Sequence, residues 1–141
     1  MTDKLRLMAL DGEDLSVISA AAQDSLVAVR DCAWFKDEKR FVLLVNRFRW
    51  EADPDVDTAY WRTHAAIVFN DVSGVHHHNV PLNEPDRMLE LLALAADGPD
   101  GVTLRFAADR AIRLDVGRLV CHLEDVGEPW PTPWKPAHPV G

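Results

Sequence analysis

The sequence is short of cysteine and of long apolar runs, and both shortages narrow the class of protein. Its 141 residues include only Cys32 and Cys121, neither in a Cys-x-x-Cys pair, so no disulfide framework is indicated and we interpret both as buried free thiols. No apolar run approaches the ~18 residues of a membrane helix. The apolar stretch at the N-terminus is too short for a signal peptide. A cytoplasmic protein without membrane association is therefore expected.

Positive charge is scarce as well. Fifteen basic residues face 23 acidic ones, and the formal net charge is −8. Nucleic-acid binding needs a cationic surface that neutralises phosphates, so general nucleic-acid binding is not expected. We interpret the acidic clusters as solvated loops. They are Asp53, Asp55 and Asp57; Asp97 and Asp100; and Glu124, Asp125 and Glu128.

Common catalytic signatures are missing too. The sequence contains no Gly-x-Ser-x-Gly elbow, no phosphate-binding loop, no Gly-x-Gly-x-x-Gly and no His-Glu-x-x-His. Cys121 and His122 are adjacent, but consecutive residues of a strand point to opposite faces and do not form a nucleophile–base pair. These observations lean against an enzyme without deciding the question, and they predict no cofactor.

What is present indicates an α+β fold. Leu15, Ile18 and Ala22 recur at helical spacing after Asp11, a suitable N-cap, and predict one N-terminal helix over about residues 13–23. Most of the remaining chain predicts antiparallel β-hairpins that form a strongly bent sheet or a partly open barrel. Residues 88–96 fit a helix by propensity or a buried strand by context, and we favour the strand. The other predicted strands are 4–10, 26–35, 41–50, 60–70, 75–80, 102–106, 111–116 and 118–125, with turns at 36–39 and 71–74.

The C-terminal tail differs in composition. Five of the nine prolines lie between Pro129 and Pro139, which predicts an extended segment. We therefore divide the chain into an α+β domain, 1–127, and a Pro/Trp-rich tail, 128–141. Trp130 and Trp134 are candidate docking anchors, either on the chain's own sheet or on a partner, which would be a second copy or an unidentified protein.

Two sets of side chains are candidate binding sites. Arg47 and Arg49 alternate on one predicted strand, and Arg62 and His64 alternate on the next. If these strands pair, the four groups could share one face and bind an anionic ligand, although an exposed face with salt bridges remains the alternative. The second set is a candidate metal site. Residues 76–78 are three consecutive histidines, of which His76 and His78 share one face of their strand, and His64 lies on the preceding strand. Surface histidines are its alternative.

The sequence also resembles a bacterial family known as domain of unknown function 2948. The resemblance covers nearly the whole chain and implies a small single-domain cytoplasmic protein, but it supplies no activity, cofactor or site residue. The segments that carry it are Leu5–Asp11, Glu13–Leu15, Ile18–Ala20, Phe41–Trp50, Ala111–Val116 and Leu123–Trp130.

Two functional hypotheses follow. The first is a non-catalytic binding or protein-interaction domain, suggested by the missing catalytic groups and by the aromatic tail. The second is a small anionic-ligand or metal-binding protein, a sensor or a minor enzyme, that uses the arginine and histidine strand face.

Overall fold

The protein is described by a computed structural model over residues 4–52 and 60–136. The predicted acidic loop around Asp53, Asp55 and Asp57 lies outside these residues. Within them the chain forms one α-helix, eight β-strands and two short 3-10 turns, at Val29–Asp31 and Lys36–Glu38. The elements are β1 (Arg6–Ala9), α1 (Gly12–Ala22), β2 (Leu26–Ala28), β3 (Cys32–Phe35), β4 (Arg40–Phe48), β5 (Tyr60–His78), β6 (Met88–Ala96), β7 (Gly101–Phe106) and β8 (Arg110–Thr132).

The strands form one antiparallel sheet that bends into an incomplete ring. Its order is β1-β8-β5-β4-β2-β6-β7, with β3 beside β4 and an additional pairing of β7 with β8. The first six residues of β8 pair with β7, and a later part pairs with β1. The ring is therefore closed where β8 pairs with β7. It is open farther along β8, where the partner is β1 instead of β7. The predicted α+β class and the strongly bent, partly open sheet are confirmed.

Helix α1 packs against β6 and β1, beside the open part of the ring. Asp11 caps it by accepting a hydrogen bond from the amide of Asp14 at 2.8 Å, as the sequence predicts. Leu15, Ile18 and Ala22 are fully buried, so the apolar stripe faces the core. The hydroxyl of Ser19 accepts a 2.9 Å hydrogen bond from the amide of Leu94 and joins the helix to β6.

The two longest strands correct the predicted hairpins. We predicted a turn at 71–74 and a strand end at Gly117, but β5 and β8 run through both positions without ending. Their register shifts between Asn70 and Val72 and again between Val72 and Gly74. Such bulges bend a strand without ending it, and Asp71 takes the left-handed φ of 57° at this bend. Polar residues that resemble a turn signal therefore mark a bend.

Of two further predicted strands, one is intact and one is divided. Residues 88–96 are a strand, as favoured, with Leu89, Leu91 and Leu94 buried. The predicted strand 26–35 is divided by a 3-10 turn, because its first part pairs with β6 and β4 while its second part pairs with β4 alone.

Candidate functional site

The four predicted basic side chains do not share a face. Arg47 continues the inward alternation of Phe41, Leu43 and Val45 and is fully buried. On β5, by contrast, the inward position opposite Arg47 is Thr63, whereas Arg62 and His64 lie opposite Phe48 and Asn46. Side chains that stand opposite each other on paired strands point to the same face. The proposed ladder is therefore split between the interior and the outer surface.

Arg47 is held inside by two carboxylates. Its Nε and Nη2 donate to Asp125 Oδ1 and Oδ2 at 2.7 and 2.8 Å. Its Nη1 and Nη2 donate to Glu51 Oε1 and Oε2 at 2.9 and 2.7 Å, and Nη1 also reaches the carbonyl oxygen of Phe48 at 3.4 Å. These acceptors account for all five N–H groups of the guanidinium, so Arg47 has no donor left for a ligand.

The charge state of this network follows from its contacts. Burial alone would lower the pKa of Arg47, but hydrogen bonds to Asp125 and Glu51 outweigh it and hold the pKa above its usual value. Burial would likewise raise the pKa of Glu51, but the hydrogen bond from Arg47 prevails and the pKa lies below its usual value. Arg49 adds a weaker contact, with Nε 3.6 Å from Glu51 Oε2.

Asp125 has a role that the sequence did not reveal. We interpreted its acidic cluster as a solvated loop, but Asp125 is only 5% exposed. Besides Arg47, its Oδ2 accepts the amide of Leu5 at 2.9 Å, and its own amide donates to the carbonyl oxygen of Leu5 at 2.9 Å. Asp125 thus ties β8 to both β4 and the residues before β1, and the solvated interpretation is wrong for this residue.

Arg62 lies on the outer surface but is also engaged. Its Nε donates to Asn46 Oδ1 at 2.5 Å and its Nη2 to the carbonyl oxygen of Asn46 at 3.0 Å. Burial lowers the pKa of Arg62, and the charge of Asp24 opposes this only in part. A groove of about 220 Å³ borders it. Its lining residues are Asp24, Leu26, Arg62, Glu90, Trp134 and Pro136. With two carboxylates beside one guanidinium, this groove is poorly suited to an anion.

The predicted metal site is not assembled. His64 lies on the same continuous strand as His76 and His78, because the turn that would have brought them together is absent. His76 Nε2 contacts Asp115 Oδ2 at 2.7 Å, and His78 Nε2 lies 3.5 Å from Asp109 Oδ2. Among the described residues, no three His, Cys, Asp or Glu side chains are grouped so that they could hold a metal ion.

A second charged cluster surrounds Arg113 on the outside of the ring. Its Nε donates to Asp97 Oδ2 at 3.0 Å, its Nη1 donates to Asp115, and Asp100 lies 3.9 Å from Nη2. The hydrogen bond from His76 lowers the pKa of Asp115. This cluster joins β5, β8 and the β6–β7 turn through exposed ion pairs, and we assign it a structural role.

The two tail tryptophans differ. Trp130 stands opposite Arg62 in the pairing of β5 with β8, and its ring centroid lies 4.7 Å from that of His64. The start of the tail therefore docks on the chain's own sheet. Trp134, beyond the end of β8, is 76% exposed.

The outer face of five adjacent strands, β1, β8, β5, β4 and β3, is largely apolar, and sequence reasoning missed it. Its central row runs Met8–His122–Val68–Val42–Ala33, each residue opposite the next. Met8 is 57% exposed, Leu44 51% and Phe35 49%. We call this surface the outer face. Its apolar members are Met8, Ala33, Phe35, Val42, Leu44, Ala66, Val68 and Val120.

The outer face also carries charges of both signs. Arg6 Nε lies 3.6 Å from Glu124 Oε1 at the β1–β8 side. Arg40 Nη1 lies 3.8 Å from Glu38 Oε2 beside β3 and β4. All four side chains are well exposed. The outer face thus combines apolar side chains with charges of both signs, and His122 and Asn70 lie among them.

Comparison with known proteins identifies a family whose description names no activity. The family described as "Protein of unknown function (DUF2948)" matches residues 5–138, nearly the whole chain. No curated protein and no solved structure matches the chain. No helix in the described ranges is both long and apolar enough to span a membrane.

Proposed function

We propose, from the premise that this chain belongs to the DUF2948 family of proteins of unknown function, that it is a non-catalytic protein-interaction domain. Its binding surface is the outer face. The observation that carries this proposal is the run of apolar side chains across five paired strands, with Met8, Leu44 and Phe35 each about half exposed or more.

The extent of the outer face supports an interaction. Five strands spaced about 4.8 Å apart span about 24 Å, and three rows of outward side chains spaced about 6.8 Å apart span about 20 Å. The projected area of the face is on the order of 500 Å² with its polar positions included, and the apolar part is on the order of 300 Å², which is comparable to the largest apolar patches found on monomeric proteins, often functional ones. Burying such a surface would stabilise a complex through the hydrophobic effect.

The alternative ligand-binding function finds less support. Arg47 is enclosed by its own carboxylates, and Arg62 is bound to Asn46. Arg47 has no donor left, and the groove beside Arg62 is also lined by the carboxylates of Asp24 and Glu90, so neither arginine is well placed to recognise phosphate or carboxylate. The divided positions of His64, His76 and His78 likewise give no support to a metal-dependent function.

Site-specific photocrosslinking tests the proposal. A photoreactive phenylalanine analogue replaces Leu44 in the full chain within its native cells, and a matched variant carries it at Val17, which is 54% exposed on α1. We expect a protein adduct from position 44 and none from position 17. Adding Val68→Asp, which places a charge at the centre of the outer face, should abolish the adduct. No adduct from position 44 would overturn the proposal.

A further inference from the structure

We infer that the partner bound by the outer face is a second copy of this chain, related to the first by a two-fold axis. This inference rests on the proposed function, since it names the occupant of the same surface. Most soluble oligomers are symmetric, and a two-fold interface uses the same patch on both copies. Such a patch must therefore be complementary to itself in shape and in charge.

The charge of the outer face meets this requirement. The chain as a whole has a net charge of −8, yet the outer face carries Arg6 and Arg40 against Glu124 and the adjoining Glu38. A partner recognised by electrostatic attraction would call for an excess of one sign on the surface that it contacts. A surface on which two arginines are balanced by two glutamates favours a copy of itself.

The strand registers place Glu124 and Arg40 on opposite sides of the centre. Val68 lies on β5, the middle strand of the five, and in the middle row. Glu124 lies on β8, one strand from Val68 toward β1, in the row of Ala66. Arg40 lies on β4, one strand from Val68 toward β3, in the row of Asn70. The two are therefore related by inversion through the Val68 position within the face.

This placement defines one arrangement of the dimer. A two-fold axis that lies in the plane of the interface, passes over Val68 and runs diagonally to the strands brings Glu124 of one copy opposite Arg40 of the other. The strands of the two copies then cross at a steep angle, as in the orthogonal class of sheet packing.

The size of the outer face sets the expected affinity of the dimer. Two copies of the outer face together bury on the order of 1,000 Å², which is the lower limit of specific interfaces. We expect a reversible dimer with a dissociation constant on the order of 1–100 µM, because small interfaces of this kind leave little surplus over the cost of association.

Sedimentation of the purified full-length chain between about 1 and 500 µM tests the inference over this range. We expect a monomer–dimer equilibrium that Leu44→Arg weakens at least about 100-fold. The matched control Val17→Arg should leave it unchanged, since Val17 is equally exposed but lies on α1. Unchanged circular dichroism establishes that each variant folds, and Leu44→Ser replaces Leu44→Arg if the arginine variant does not.

Charge reversal tests the axis itself. Glu124→Arg and Arg40→Glu should each weaken the dimer about tenfold by creating like-charge contacts, and the double variant should recover most of the affinity. A double variant no better than the singles would overturn the proposed axis.

The remaining outcomes separate the two proposals. A chain that stays monomeric at every concentration, while position 44 still crosslinks to a different protein, overturns the second-copy inference and leaves the interaction function standing. A monomer without any adduct overturns both.

Discussion

Arg47 and Asp125 form a two-pronged ion pair inside the core, with Nε–Oδ1 and Nη2–Oδ2 distances of 2.7 and 2.8 Å. Both side chains are almost wholly removed from solvent, at 0% and 3% exposure. Because Glu51 approaches the same guanidinium from its other side, one buried cation is shared by two carboxylates. This contact joins β4 to β8, which are separated by β5 in the sheet.

Removal of this cation should destabilise the fold strongly. Arg47→Met leaves two carboxylates without their partner, so we expect the free energy of unfolding to fall by about 3–5 kcal/mol, with a smaller loss for Asp125→Asn. The control is Arg30→Met, which breaks an exposed pair with Asp86 and should cost at most about 1 kcal/mol. Urea denaturation measures all three. Equal losses for Arg47→Met and Arg30→Met would contradict the structural role of the pair.

Glu51 should make the protein sensitive to acid. Its pKa lies below the unfolded value of 4.5 despite partial burial, because Arg47 stabilises the carboxylate. A lowered folded-state pKa contributes stability above the unfolded value, and this contribution disappears as the pH falls through the folded-state pKa. Thermal unfolding from pH 6 downward should therefore show a steeper loss of stability below 4.5 in the parent than in Glu51→Gln. The control is Glu84→Gln, in an exposed pair with Arg87, whose profile should follow that of the parent.

The cysteines should resist modification. Burial raises the pKa of Cys121 to about 12, and burial together with the nearby charge of Asp31 raises the pKa of Cys32 to about 12. Only the thiolate reacts with iodoacetamide, so at pH 8 we expect both to react at least about 100-fold more slowly in the native protein than in urea. Mass spectrometry of alkylated peptides measures each site. Rapid native labelling of Cys121, which is fully buried, would contradict its position.

The same two thiols should lower the stability of the fold at alkaline pH. Their folded-state pKa values exceed the unfolded value of 9.0, so their contribution to stability is complete below pH 9 and is lost as the pH rises toward 12. The double variant Cys32→Ala, Cys121→Ala should show a smaller decline in melting temperature between pH 8 and 11 than the parent.

The two tail tryptophans should differ in their effect on stability. Trp130→Ala removes the ring contact with His64 and should cost about 1–2 kcal/mol, whereas Trp134→Ala, at an exposed position, should change stability by less than about 0.5 kcal/mol. A chain ending at Gly127 should lose at least as much as Trp130→Ala, because it also loses the pairing of Tyr60 with Thr132. Equal stability of the two tryptophan variants would contradict the docking of Trp130.

Local patterns predicted the elements well. Asp11 and the spacing of Leu15, Ile18 and Ala22 located the helix within one residue at each end, because capping and amphipathic spacing act within a few residues. Alternation along 60–70 likewise separated the inward Thr63 from the outward His64. The predicted turn at 71–74 was wrong, since polar residues suit a bulge as well as a turn.

The candidate site was less predictable. The spacing of Arg47 and Arg49 on one strand and of Arg62 and His64 on another contains no information about register. A shift of one residue between paired strands transfers every side chain to the opposite face. The basic ladder depended on that register, and the structure separates Arg47 from Arg62.

By itself, the sequence determined an acidic α+β chain with one capped helix, a largely antiparallel sheet and an extended tail, because these follow from composition, periodicity and local propensity. Only the tertiary structure decided that Arg47 and Asp125 meet in the core and that the outward residues of five strands form one apolar surface. The reason is that both features join positions distant in the chain, such as Met8, Val42 and Val68. Their proximity depends on strand order and register, which no local pattern specifies.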